Sequence, residues 1–93
     1  MAKIKEAPHF LDRMKSALVE ALKANGIPAE VRTEAVPTTR LYRVAVFARK
    51  FKALKHSERQ SLVWRIVESA LSPDEQLRIS MILTLTPEEA DSK

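Results

Sequence analysis

The residues best able to do chemistry in this chain are cationic and crowded together. Arg40, Arg43, Arg49, Lys50, Lys52, Lys55, Arg59 and Arg65 fall in one stretch that holds a single acid, Glu58. The local charge of +7 exceeds the +4 of the whole 93-residue protein. Residues 1–39 stand at +1 and residues 66–93 at −4. Charge gathered on one segment is an electrostatic footprint for phosphate or for an acidic partner. Arg49, Lys50, Lys52, Lys55, His56 and Arg59 are expected to form the binding surface, around the end of a strand and the start of a helix. A helix start adds N–H groups and a positive dipole end, both of which favour anions.

Other chemistries are poorly served. The absence of cysteine removes disulfides, thiolate nucleophiles and thiolate–metal sites. His9 and His56 are the only histidines, in different elements and without an acidic cluster, so His56 is at most a weak metal ligand. There is no nucleophile–base pair, Gly-rich phosphate cradle or recognisable pair of carboxylates. The expectation is a non-enzyme with no cofactor and no resident metal.

Composition sets the scale. A hydrophobic fraction of 45% with 30% charged residues is ordinary for a folded chain of this length, enough for one domain and one modest core. The domain should span 1–93, structured over about 8–89 with polar ends. Met1 to Pro8 lacks the apolar run of a signal peptide. No segment approaches the roughly 20 apolar residues that cross a bilayer. A cytoplasmic monomer without membrane association is the expectation.

The elements that must position the basic stretch are legible from periodicity. Phe10, Met14, Ala17, Leu18, Ala21 and Leu22 form an apolar stripe at helical spacing, and Asn25-Gly26 stops it. Ala29, Val31, Thr33 and Ala35 then alternate with Glu30, Arg32 and Glu34, as a half-buried strand does. After a turn at Val36–Arg40, Leu41 to Ala48 predicts a second strand, antiparallel to the first because the connection is so short. Arg49 to His56 keeps two apolar anchors, Phe51 and Leu54. Ser57-Glu58-Arg59-Gln60 has the form of a capping box opening a helix whose inner face is Leu62, Val63, Ile66, Val67, Ala70 and Leu71. Trp64 lies at the flank of that face, either as a lid on the core's edge or as a stacking platform.

Ser72-Pro73-Asp74-Glu75 suggests one extra turn, and Thr86-Pro87-Glu88-Glu89 another. Between them, Leu77, Ile79, Met81, Leu83 and Leu85 alternate as a third strand. The order α-β-β-α-β predicts an α+β fold: a two-layer sandwich with a three-stranded mixed sheet and both helices on one face. Its core should be Met14, Leu18, Ala21, Val44, Val46, Leu62, Val63, Ile66, Val67, Ile79, Met81 and Leu83.

This order, with the stretch Phe51 to Glu89, resembles the BolA family, small proteins with a class II KH-like fold. Phe51 after strand two, the polar approach Lys55 to Ser61, the helix run Arg59-Gln60-Ser61-Leu62-Val63-Trp64, and Ile79-Ser80-Met81-Ile82-Leu83-Thr84-Leu85-Thr86-Pro87-Glu88-Glu89 carry the resemblance. In that family an Arg-His-Arg at the helix start supplies a histidine that ligates an iron–sulfur cluster together with monothiol glutaredoxins. Here the corresponding run is Arg59-Gln60-Ser61, and an amide oxygen is a poor iron ligand. The loop Val36–Arg40 also lacks the family's second ligand, a cysteine or histidine. His56 would substitute only through a shifted register. The Gly-x-x-Gly phosphate clamp of nucleic-acid-binding KH domains is missing too, since the one glycine is Gly26.

Together these features predict a BolA-like adaptor or regulatory protein that binds a nucleic acid or an acidic protein through its basic loop–helix surface. The alternatives are a partner of monothiol glutaredoxin in iron–sulfur cluster handling and a KH-like factor associated with RNA or the ribosome.

Overall fold

The computed structural model describes residues 8–91; of the polar ends expected beyond about 8–89, residues 1–7 and 92–93 lie outside the described residues and 90–91 complete the last helix. The elements run α1 (His9–Ala24), β1 (Glu30–Ala35), β2 (Tyr42–Phe47), a 3-10 turn (Arg49–Ala53), α2 (His56–Ala70), α3 (Pro73–Gln76), β3 (Ile79–Leu85) and α4 (Pro87–Asp91). The sheet order is β1-β2-β3, with β1 antiparallel to β2 and β2 parallel to β3. This is the α+β sandwich with a mixed sheet that the element order implies.

Local chemistry explains each boundary. At the end of α1, Gly26 takes φ 77°, and the N–H groups of Gly26 and Ile27 bond the carbonyls of Lys23 (2.9 Å) and Leu22 (2.8 Å). That is a Schellman closure, which needs a left-handed residue and returns an apolar one to the helix. Ile27 is that residue, and it is buried with Leu22. In the β1–β2 turn Thr38 also adopts a positive φ of 61°, a costly geometry for a β-branched side chain. Thr39 closes the turn, its hydroxyl donating to Val36 O at 2.8 Å and accepting from Leu41 N at 3.0 Å. Ser72 and Glu75 form the reciprocal capping box of α3, and Thr86 and Glu89 form that of α4.

The core lies between the sheet and the pair α1–α2. It joins Leu11, Met14, Leu18 and Leu22 of α1, Val31, Val44, Val46 and Ile82 of the sheet, and Phe51, Val63, Val67 and Leu71. Leu62, Trp64 and Ile66 pack against it half-buried, so Trp64 is a lid on the core's edge. Ala21 is likewise only half-buried.

Two core assignments from the sequence fail. Met81 and Leu83 are 43% and 41% exposed, while Ile82 and Thr84 are buried. The cause is a bulge at Ser80: Tyr42 pairs with Ile79 but Arg43 pairs with Met81, so one residue of β3 is skipped. A one-residue slip turns every following side chain to the other face. Leu77 likewise stays at the end of α3, 76% exposed, and is no part of the strand.

Candidate nucleic-acid interface

Four of the six expected binding residues sit on one short structure. Arg49, Lys50 and Lys52 lie on the 3-10 turn, Lys55 caps α2, and all four are exposed. The turn is spaced by its apolar residues: Phe51 points inward and is fully buried, and Leu54 packs half-buried on the core. An inward Phe51 leaves its neighbours Lys50 and Lys52 directed to solvent. His56, the first residue of α2, is exposed beside them.

Arg59 is in a different situation. It is 4% exposed and lies beneath the turn rather than on its surface. Its Nε donates to the carbonyls of Phe51 (2.8 Å) and Leu54 (3.2 Å), and Nη1 donates to Thr84 O at 3.1 Å. The remaining edge of the guanidinium meets Glu89, with Nη1 to Oε1 at 2.8 Å and Nη2 to Oε2 at 3.4 Å. The guanidinium carbon also stands 5.6 Å from the centre of the Phe51 ring. One planar group with five N–H donors thus ties the basic turn, β3 and α4 together, which a lysine cannot do. Arg59 therefore leaves the candidate surface and becomes its support.

Glu89 responds to that pairing. The hydrogen bond from Arg59, then that from the Thr86 backbone, holds its carboxyl down at about 2, with His56 adding a smaller lowering and partial desolvation opposing.

Gln60, which the resemblance sets at the histidine position, turns its amide to the free edge of β3. Its Nε2 donates to Ile82 O at 2.9 Å and to Thr84 Oγ1 at 3.2 Å. Together with Arg59 it occupies carbonyls that an edge strand would otherwise offer to another chain. The capping role read from Ser57 and Gln60 falls two residues earlier. Lys55 is the N-cap residue, and Glu58 Oε1 accepts from Lys55 N at 2.8 Å. Glu58 therefore already places a negative charge at the start of α2, where an anion was expected to find free N–H groups.

The rest of the basic stretch is dispersed. Arg43 pairs with Glu34 at 3.3 Å on the bare face of the sheet, and Arg65 is exposed farther along α2. Among the described residues, the ion pairs are Arg13–Glu75, Arg32–Glu30, Arg43–Glu34 and Arg59–Glu89, none of which engages Arg49, Lys50, Lys52 or Lys55. An open cavity of about 390 Å³ adjoins the turn, lined by Arg49, Lys52, Thr86, Pro87, Glu88 and Asp91. No group of three or more His, Cys, Asp or Glu side chains suited to a metal ion occurs among the described residues, and none of the described helices is long and apolar enough to cross a membrane.

Fold and site together define a small α+β domain that holds exposed cations on a braced turn. No protein-family model matches the chain, and neither does any curated protein.

Proposed function

We propose that this domain is a non-enzymatic, BolA-like adaptor or regulatory module whose turn Arg49–Lys55 holds the sugar–phosphate backbone of a nucleic acid. The observation that carries the reading is the brace under the turn. Phe51 is fully buried, and Arg59 bonds the carbonyls of Phe51 and Leu54 from below. Arg49, Lys50, Lys52 and Lys55 are therefore presented on an ordered backbone, with no intramolecular ion pair among the described residues to neutralise them. A braced cationic turn loses little backbone entropy on binding, which favours contact with a repeating anion. The turn offers no exposed aromatic ring for stacking and no glycine for close backbone approach, so it grips phosphates and reads few base edges.

Fluorescence anisotropy of a labelled single-stranded oligonucleotide, titrated across a salt series, tests this. Each phosphate contact contributes about −0.7 to −0.9 to the log–log salt slope, so three or four contacts give a slope of about −2 to −4. Binding should depend little on base sequence. Changing Lys50, Lys52 and Lys55 to glutamate should abolish it while leaving the circular dichroism spectrum and the unfolding midpoint close to those of the original protein. Binding that survives the triple change would place the interface elsewhere. Wild-type protein with no affinity at low salt would remove the nucleic acid and leave an acidic protein as the partner.

A further inference from the structure

The turn is not the only charged surface at this end of the molecule. The element α4, which shares a cavity with the turn, carries Glu88, Glu89 and Asp91, and these acids have two different roles. Glu89 is the tether: it pairs with Arg59 and closes the capping box with Thr86, whose side chain is itself buried. Glu88 and Asp91 have no such use. They are exposed and line the same cavity as Arg49 and Lys52. None of these four side chains lies within the 4.0 Å of an ion pair with an opposite charge among the described residues. Two cations and two anions thus line one open cavity, on elements that Arg59 fastens to a common point.

We infer that α4 is a built-in acidic competitor, whose Glu88 and Asp91 share Arg49 and Lys52 with an incoming polyanion. The inference rests on the turn being an anion-binding surface, as proposed above. Charges that line one cavity of about 390 Å³ are separated by distances comparable with the Debye length, about 8 Å at physiological ionic strength, so the acids screen the bases and repel phosphate. Lys50 and Lys55 do not line this cavity; the acids nearest to hand for them are Glu30, which shares a second cavity with Lys50, and Glu58, which accepts from Lys55 N. The effect of α4 is consequently local: Arg49 and Lys52 are weakened until a ligand carries enough negative charge to outcompete it. A tethered acid of this kind selects against weak or singly charged anions.

The test compares Glu88→Gln/Asp91→Asn with Glu20→Gln/Glu68→Gln, which makes the same change in net charge on α1 and the far part of α2. Both pairs are exposed, and Glu89 is left in place to hold α4. Two ligands are titrated by NMR and anisotropy: inorganic tripolyphosphate, which reads the basic turn itself, and the labelled single-stranded oligonucleotide. Removing the two acids should tighten tripolyphosphate binding about threefold to tenfold, while the control pair changes it less than about twofold. The amide shifts of Arg49 and Lys52 should respond most. For the oligonucleotide, a fourth base released beyond three contacts should make the salt slope more negative by about 0.7 to 0.9. If the two pairs of substitutions act alike, net charge alone governs binding and the competitor is refuted. If neither protein binds tripolyphosphate, it is refuted as well. Tighter tripolyphosphate binding without any oligonucleotide binding would sustain the competitor and overturn the nucleic-acid reading instead.

Discussion

Arg59 and the group Arg49, Lys50, Lys52 and Lys55 belong to one run of sequence and carry the same charge, yet the fold uses them in opposite ways. Arg59 is 4% exposed and spends its donors on three carbonyls and one carboxylate. The other four are exposed and enter no ion pair among the described residues. What separates them is the presence of nearby groups that need a donor. A 3-10 turn ends at Ala53, and an edge strand passes at Thr84; both leave carbonyls that must be satisfied when water is excluded. A positive charge in a sequence is therefore available to a partner only where the fold has no such debt of its own.

The strongest challenge to this contrast is to remove its support. Phe51→Ala empties a fully buried aromatic site and should cost about 3–5 kcal/mol in urea unfolding, close to the whole stability of a small domain. A loss under about 1 kcal/mol would mean that the turn is not anchored through Phe51.

Arg59→Ala should cost about 2–4 kcal/mol, because it strands the buried Thr84 carbonyl, takes one of two donors from Phe51 O and leaves Glu89 without its partner. Arg59→Lys sharpens the point. It keeps the charge but not the planar fork, so most of the loss should remain. Lys50→Ala, by comparison, should stay within about 0.5 kcal/mol of the original. If Arg59→Lys proves silent, the residue is acting as a plain charge and the division between the two groups collapses.

The smallest effect is read by pH. In the folded protein the Glu89 carboxyl titrates at about 2, below its ordinary value of 4.5. A group whose folded value is depressed contributes stability above its ordinary value and loses it as pH falls through the folded one. The Arg59–Glu89 contribution should therefore be complete at neutral pH and disappear between about 4.5 and about 2. Glu89→Gln should flatten this part of the acid-unfolding profile. Equal profiles for the two proteins would show that the pair makes no net contribution.

Much of the fold was legible because the chain states it locally. Asn25-Gly26 announced the end of α1, the alternation around Val31 and Val44 announced β1 and β2, and the two Ser/Thr-Pro-acid runs announced α3 and α4. Phe51 and Leu54 were readable as anchors of the basic turn for the same reason. Three features were not readable. The bulge at Ser80 leaves no mark in a strand with apolar residues at 79, 81, 82, 83 and 85, so either phase looked acceptable. The cap of α2 rests on the backbone of Lys55, while Ser57 offered a more familiar side chain. The burial of Arg59 depends on carbonyls that β3 and the turn bring together across 25 residues of sequence.

The central claim is that the braced turn, and not another face of the domain, receives the partner. The rival surface is the bare side of the sheet, where Arg32 stands 5.4 Å from the Phe47 ring and a cleft is lined by Arg43, Ala45 and Leu83. Amide chemical-shift mapping during titration with a single-stranded oligonucleotide separates the two directly. The account predicts shifts concentrated at Arg49, Lys50, Lys52 and Lys55, fading with added salt, and a quiet sheet face. Shifts centred on Arg32, Ala45, Phe47 and Leu83, with the turn unmoved, would contradict it.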